Sequence, residues 1–250
     1  MQAHGAVRPR QIGQHFAQGN GTNCWGGSSS ATTHLLDGMH YRGMLRVVRR
    51  DRGTRVYEAV AHPPTDDSPA SRAQRAAALV ALVVRKYAPL PAASLTYLVR
   101  LLGYGAPHLA PQIQTALRLA KQELASCQIN GTTWYWPADE NPASRRHTPD
   151  GAVRLLAPFD PVVWDRRRFT LLWDWTYKFE AYTPAPQRKL GYYALPLLWH
   201  DRVIGWANVT APQGHMVVNF GYADKAPQGA DFRAALDDEL QRMAYFLAAH

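Results

Sequence analysis

The stretch SSSATTHLLDGMHYRGMLRVVRRDRGTRVYEAV, residues 28–60 of a 250-residue chain, decides the fold. It begins with three serines, whose hydroxyls can accept hydrogen bonds from the free N–H groups at the start of a helix. Residues 31–42 then predict a helix, which ends at Gly43 because glycine readily adopts the left-handed conformation. A glycine-rich connection, residues 19–27, precedes it. The predicted apolar face of the helix consists of Leu35, Leu36 and Met39.

The second half of this stretch predicts an arginine-rich β-hairpin. Residues 44–50 and 54–60 are short and rich in β-branched side chains, and Asp51-Arg52-Gly53 joins them. Upstream, residues 7–16 predict another helix. Helix, turn, helix and basic hairpin in this order predict a winged-helix domain over residues 1–62.

The same order of elements recurs over residues 69–137, after a linker rich in proline and aspartate. Cys127–Trp136 predicts a hairpin, because Asn130-Gly131 is a strong signal for a two-residue turn. The sequence therefore predicts two winged-helix units in tandem. The helices predicted in the second unit cover residues 70–87, 92–102 and 109–126.

Residues 152–250 predict a third, β-rich domain. Tryptophan and tyrosine crowd into its first half, and short stretches alternate apolar and polar residues, as half-buried strands do. We expect a barrel-like antiparallel sheet, followed by an amphipathic helix over residues 231–248. The whole chain is therefore expected to be α+β. The predicted strands are residues 178–182, 191–198, 203–209 and 215–222.

The net charge of +9 is concentrated in the first half of the chain. Residues 1–60 carry eight arginines against three acids, and residues 61–136 carry seven basic residues against three acids. Residues 137–250 carry thirteen of each sign. A positive field confined to one part of a chain suits a phosphate backbone as partner, although a generally arginine-rich proteome would also raise the charge.

The composition also excludes several protein classes. No apolar run reaches the roughly 20 residues of a membrane span, and the N-terminus does not resemble a signal peptide. Cys24 and Cys127 lack the spacing of metal ligands and suit a reducing compartment. We therefore expect a cytoplasmic monomer with no membrane association, no metal and no cofactor.

The first predicted winged helix supplies the candidate contacts to double-stranded DNA. Short hydroxyl and imidazole groups at the start of the second helix can reach phosphates or base edges, and the arginines of the hairpin can flank the backbone. The alternative is that the serines only cap the helix and the arginines form a solvated face. The predicted DNA-binding residues are Ser28, Ser29, Ser30, Thr32, Thr33, His34, Arg42, Arg46, Arg49, Arg50, Arg52 and Arg55.

The acids of the third domain are weaker candidates for chemistry. Asp160, Asp165, Asp174 and Glu180 lie among aromatic residues and could include a functional acid. Such acids more often pair with arginines, here residues 166–168.

His34 and His40 are six positions apart, which does not place them on one helical face as metal ligands.

Four stretches also resemble the YcaQ/AlkZ family of crosslink-repair DNA glycosylases. WGGSSSATT at residues 25–33, followed by His-Tyr-Arg-Gly, resembles a winged-helix region of that family. The C-terminal motifs PFDPVVWDR at 158–166, EAYTPAP at 180–186 and GYYALPL at 191–197 are longer and more specific. The resemblance covers essentially the whole chain and implies tandem winged helices followed by a β-rich domain.

The resemblance implies a role in the repair of alkylated or crosslinked DNA. Members of the family hydrolyse the N-glycosidic bond of alkylated bases and position the attacking water with a Q-Φ-Q or Q-Φ-D pair in a first winged helix. This chain resembles the family from its second winged helix onward, so we expect it to lack that catalytic module. Gln112-Ile113-Gln114 matches the pattern by letters but in a different module. Residues 205–210, GWANVT, lack the charges of the Gly-Arg-x-Asp-x-Lys motif that some members carry.

Two hypotheses follow from the sequence. The chain either belongs to the repair glycosylases and binds damaged DNA without a water-positioning pair of its own, or it is a non-catalytic regulator or accessory module that kept the scaffold. We predict no catalytic residue in either case.

Overall fold

A computed structural model describes most of the chain: residues 5–13, 15, 19–22, 27–62 and 64–248. Within them the protein forms helices and small antiparallel sheets, so the predicted α+β class is confirmed. Phe16, Cys24, Trp25 and Gly26, on which some of the sequence predictions rest, lie outside the described residues.

The chain divides into two compact units. Unit 1 comprises Met1–Arg75 and Leu101–Gln112, and unit 2 comprises Ala76–Arg100 and Ile113–His250. The domain boundaries predicted from the sequence, 1–62, 69–137 and 152–250, stay predictions.

Unit 1 begins with short elements around one capped helix. The helix predicted over residues 7–16 is shorter than expected, because Val7 pairs with Tyr57 in a β-bridge with N–O distances of 2.8 and 2.9 Å. Part of the expected connection at 19–27 is also paired as strand. The elements are α1 (Pro9–Ile12), β1 (Asn20–Thr22), β2 (Ser28–Ser30), α2 (Ala31–Tyr41), β3 (Leu45–Asp51) and β4 (Thr54–Ala59).

The core of unit 1 lies under α2 and the β3–β4 hairpin. Leu36 is buried as predicted, and Met39 packs against the cluster, whereas Leu35 is exposed. The prediction of the apolar face of α2 is therefore wrong at Leu35, because adjacent helix positions cannot both face a narrow core. The buried cluster consists of Val7, Ile12, Leu36, Leu45 and Tyr57.

The β3–β4 hairpin closes through a tight turn and contains a bulge. Arg52 and Gly53 have φ angles of 48° and 79°, as a two-residue turn of type I′ requires. The register shifts between Val47 and Arg49, so an extra residue lies in β3. A bulge of this kind bends the strand and changes the direction of the side chains that follow it.

The second predicted unit forms its helices and hairpin close to the expected positions. The turn at Asn130 and Gly131 has φ angles of 49° and 73°, which confirms the signal in the sequence. The three strands form one sheet in the order β5-β7-β6. The elements are α3 (Pro69–Tyr87), β5 (Leu90–Pro91), α4 (Ala92–Gly105), α5 (Ala110–Glu123), β6 (Ala125–Ile129) and β7 (Thr132–Trp136).

The C-terminal region of unit 2 contains one four-stranded antiparallel sheet in the order β11-β10-β9-β8. Its two edge strands do not pair with each other in the described part of the chain, so the barrel-like form that we expected is wrong. Four strands are too few to close a barrel. The elements are β8 (Val153–Leu155), α6 (Pro161–Trp164), α7 (Arg166–Trp173), β9 (Leu195–Trp199), β10 (Arg202–Thr210), β11 (Val217–Tyr222) and α8 (Ala230–Ala248).

Helices cover both faces of this sheet. On one face, Val153 and Leu197 pack against Phe232 of α8. On the other, Val203 of β10 and Ala194, just before β9, pack with side chains of α6, α7 and the segment that follows them. Burial on both faces explains why β9 is apolar throughout and lacks the alternation of a half-exposed strand.

Candidate nucleic-acid interface

An open groove of about 1420 Å³ lies in unit 1. Three parts of the chain line it: the start of α1, the start of α2, and the tip of the β3–β4 hairpin. The charged lining residues are Arg8, Arg10, Asp37, Arg50, Asp51, Arg52 and Arg55.

The lining carries five arginines against two aspartates, a local excess of three positive charges. Arg8 donates to Asp51 Oδ2 from Nε at 3.0 Å and from Nη2 at 2.7 Å, and this contact together with Arg49 holds the pKa of Asp51 below its usual range. Arg10 and Arg52 form no ion pair with any described residue, and both are exposed. Their charges are available to a ligand.

Two arginines of the hairpin lie directly opposite each other. Arg50 of β3 pairs in register with Arg55 of β4, an arrangement that is unfavourable for like charges. Arg55 Nη1 donates to Asp37 Oδ1 at 2.7 Å, which compensates one of the two charges. Arg50 Nη1 donates to the carbonyl of Gly53 at 3.3 Å, and Arg50 has no carboxylate partner among the described residues.

Asp37 also binds the buried hydroxyl of Tyr57. Tyr57 Oη donates to Asp37 Oδ1 at 2.6 Å. Burial raises the pKa of Tyr57, and the hydrogen bond to Asp37 raises it further, so the phenol stays protonated at neutral pH. The carboxylate therefore fixes the position of Arg55 relative to the core.

The serine and threonine residues at the start of α2 have different environments. Ser30 is the N-cap, and its Oγ accepts from Thr33 N at 3.2 Å, as predicted. Thr32 is buried in the floor of the groove. Ser29 Oγ lies 2.5 Å from His34 Nε2, which joins β2 to the helix. Ser28 is exposed in β2.

The structure brings half of the predicted DNA-binding residues to the groove. These are Ser30, Thr32, Thr33, Arg50, Arg52 and Arg55.

The other six predicted residues do not line the groove. Arg42 follows the last turn of α2, roughly 18 Å along the helix axis from Ser30 at 1.5 Å per residue. Arg46 binds Glu58, with Nη2 at 2.6 Å from Oε2, and Arg49 binds Asp51. The six are Ser28, Ser29, His34, Arg42, Arg46 and Arg49.

Sequence reasoning missed two arginines of the groove. Arg8 and Arg10 fall in the predicted first helix and are not among the predicted DNA-binding residues, yet both line the groove. Their charge was a signal in the sequence. The sequence does not predict the β-bridge between Val7 and Tyr57. This bridge brings the segment with Arg8 and Arg10 beside the hairpin.

Two of the candidate acids of unit 2 accept backbone hydrogen bonds at the start of a helix. Asp160 and Asp165 cap α6 and α7, accepting from Val162 N at 2.8 Å and Arg168 N at 3.2 Å. The expectation that they pair with Arg166 and Arg168 is wrong: these guanidinium groups bind backbone carbonyls, among them that of Pro158 at 2.9 Å. Asp followed by proline at the first helical position is a start signal that could have revealed α6.

Glu180 is buried and accepts three backbone hydrogen bonds. Lys189, Leu190 and Gly191 donate to its Oε2 at 2.8, 2.7 and 3.3 Å. Burial alone would raise the pKa of Glu180, but these donors together hold it below its usual value. The carboxylate therefore organises a loop.

Gln112 and Gln114 lie two positions apart on α5. Side chains at this spacing point to nearly opposite sides of a helix, so the two amides cannot hold one water between them. The described residues contain no group of three or more His, Cys, Asp or Glu side chains arranged to hold a metal ion. None of their helices combines the length and apolarity needed to cross a membrane.

A protein-family model matches this chain. The model of a family described as DNA glycosylase AlkZ-like matches residues 1–246, almost the whole chain. No solved structure matches.

Proposed function

Because the chain belongs to the AlkZ-like DNA glycosylase family, we propose that it binds double-stranded DNA through the groove of unit 1 and acts in the repair of alkylated DNA. The chemistry of such a family is hydrolysis of the N-glycosidic bond between base and sugar. Binding comes first in any such reaction, and the charge and openness of the groove suit it to that step.

The observation that carries the proposal is the unbalanced charge of the groove. Arg10 and Arg52 are exposed without a carboxylate partner among the described residues, and Arg50 lies opposite another arginine. A phosphate backbone would supply the missing negative charge. Backbone N–H groups at the start of α2 favour the same ligand, since the positive end of the helix dipole lies there.

The order of the elements supports the winged-helix assignment. In the second predicted unit, a helix, a short strand, two helices and a hairpin follow one another, and the short strand pairs with the hairpin as β5-β7-β6. In residues 1–62, α1 and α2 precede the basic hairpin in the same way. The hairpin of this fold typically flanks the DNA backbone.

Salt dependence of binding to a labelled duplex tests the proposal. Each phosphate contact contributes about 0.9 to the slope of log affinity against log salt concentration. The double variant Arg50→Gln/Arg52→Gln should therefore bind more weakly on all sequences, with a slope smaller by about two. The control is Arg202→Gln/Arg233→Gln, which removes two exposed arginines of unit 2. Equal affinity of the two double variants would overturn the proposal.

A non-catalytic binding role is the second candidate, and the acids of unit 2 favour it. Asp160, Asp165 and Glu180 accept hydrogen bonds from backbone N–H groups and so serve the fold. A base-excision assay on a duplex with an alkylated purine separates the two candidates. Release of the base supports the glycosylase, and tight binding without release supports the accessory module.

A further inference from the structure

Five aromatic residues of unit 2 form a contiguous surface cluster, here called the aromatic platform: Phe159, Trp164, Phe179, Tyr182 and Tyr193. Phe179 lies at its centre. Its ring centroid is 5.4 Å from that of Phe159, 6.1 Å from Tyr182 and 5.2 Å from Tyr193, all in edge-to-face geometry. Phe159 also contacts Trp164 at 5.6 Å.

The outer rings of the platform are open to solvent. Tyr182 is 78% exposed and Phe159 58%, and Trp164 and Tyr193 are also exposed. The edge-to-face contacts hold these rings in place without burying them. A contiguous exposed aromatic patch of this kind commonly marks a binding surface.

The segment between residues 176 and 193 is rich in cations, whereas Asp160 and Asp165, next to Phe159 and Trp164 in sequence, accept backbone hydrogen bonds. Lys178, Arg188 and Lys189 lie in the same segment of chain as the rings, and Lys178 and Lys189 are exposed. Arg188 lies over the ring of Tyr192, 4.9 Å from its centroid. The one acid between residues 176 and 193 is Glu180, which is buried and bound by backbone donors. This segment therefore presents rings and cations with no exposed carboxylate.

We propose that the aromatic platform binds unpaired bases of single-stranded or locally opened DNA by stacking. A nucleobase offers a flat π-face and the adjoining phosphate offers negative charge, so one nucleotide satisfies both the rings and the cations. A duplex cannot use the platform, because its base faces are covered by neighbouring bases and only the edges remain accessible. An apolar protein segment would match the rings but would leave the cations without partners.

The platform and the groove share no residue, since the platform belongs to unit 2 and the groove to unit 1. The groove is suited to the phosphates of a duplex, whereas the platform is suited to base faces. The two sites can therefore be tested independently of each other.

The experiment measures the anisotropy of two labelled probes with the full chain. One is a short oligothymidylate, and the other is an oligomer of the same length and charge built from abasic nucleotides. The intact protein should bind the first more tightly, and Tyr182→Ala or Phe159→Ala should each lower that affinity roughly tenfold without changing the second.

Matched controls exist within unit 2. Tyr245 is 79% exposed and Phe246 58%, and both lie on α8 outside the platform, so Tyr245→Ala and Phe246→Ala should leave binding unchanged. Tyr182→Phe should retain binding because stacking uses the ring, and Tyr182→Leu should lose it although apolar bulk remains. Melting temperatures check that each variant is folded.

Equal affinity of the intact protein for the two probes would overturn the proposal, as would equal effects of Tyr182→Ala and Tyr245→Ala on oligothymidylate binding. A third contrary result is that Tyr182→Ala changes the oligomeric state while the intact protein binds no oligothymidylate. The last would assign the surface to protein contacts. Failure of the groove has a different signature, because Arg50→Gln/Arg52→Gln should leave the difference between the two probes intact.

Discussion

Asp37 connects the core of unit 1 to its charged groove, because one carboxylate oxygen accepts from both Arg55 and Tyr57. Asp37→Asn weakens two charge-assisted hydrogen bonds, so we expect the free energy of unfolding to fall by about 1 kcal/mol. The same change removes a negative charge from the groove, so affinity for duplex DNA should rise.

Urea denaturation and duplex binding measure the two effects of Asp37→Asn. Glu58→Gln is the control, since it removes an acid that binds Arg46 outside the groove lining. A loss of DNA affinity in Asp37→Asn would contradict the interpretation that Asp37 compensates the charge of Arg55 in the groove.

Asp67 makes the stability of the protein depend on pH in acid. Hydrogen bonds from Arg72 and Arg75 lower the pKa of Asp67 from 3.8 to about 2. A carboxylate whose pKa is lower in the folded than in the unfolded state stabilises the fold above about pH 4, and this stabilisation is lost as the pH falls towards 2. Asp67→Asn should therefore flatten the decline of stability across this range in urea titrations. Asp224→Asn, which removes an exposed carboxylate elsewhere, should leave the decline unchanged.

At the scale of elements, local signals were predictable and long-range contacts were not. The turns at Arg52-Gly53 and Asn130-Gly131 and the cap at Ser30 involve residues close in sequence, and the structure has all of them. The bulge after Val47 and the shortening of the first helix depend on pairing with residues distant in sequence. The periodicity of a single segment carries no information about such pairing.

The strand predicted over residues 178–182 shows how a tertiary contact overrides a pattern. This segment is irregular, although its residues alternate, because Glu180 is buried and binds the backbone of residues 189–191. The same alternation could not reveal a buried carboxylate, since alternating acids usually lie on an exposed face.

Glu180→Gln should therefore destabilise unit 2 strongly. The neutral amide accepts more weakly, and its NH₂ group can meet the N–H donors that the carboxylate now satisfies. We expect a loss of about 3 kcal/mol, because a buried network loses its charged acceptor. Chemical denaturation measures it, with the exposed Glu123→Gln on α5 as control. Equal stability of the two variants would show that the loop does not depend on the charge.

At the scale of the whole molecule, the distribution of charge along the chain was predictable, whereas the contacts of each arginine were not. The sequence assigned the excess to the first half of the chain, and the groove with three surplus charges lies in unit 1. It could not separate Arg52, which is open to a ligand, from Arg46, which binds Glu58, because that difference depends on the register of β3 against β4.

Duplex DNA should stabilise the whole protein if it binds only the folded state. At a hundred times the dissociation constant, a single-site ligand adds about 2.7 kcal/mol to the free energy of unfolding. Melting temperature should therefore rise with duplex concentration, and the rise should be much smaller in Arg50→Gln/Arg52→Gln. An equal rise in that variant would show that the duplex binds elsewhere.

Arg50 and Arg55 occupy opposite positions of β3 and β4, and of the two only Arg55 has a carboxylate partner among the described residues. A polyanion in the groove would give Arg50 the counter-charge that it lacks, so the hairpin should be more stable with the ligand bound than without it. Protein without a bound polyanion should then unfold and be degraded first, so its lifetime would follow the occupancy of the groove.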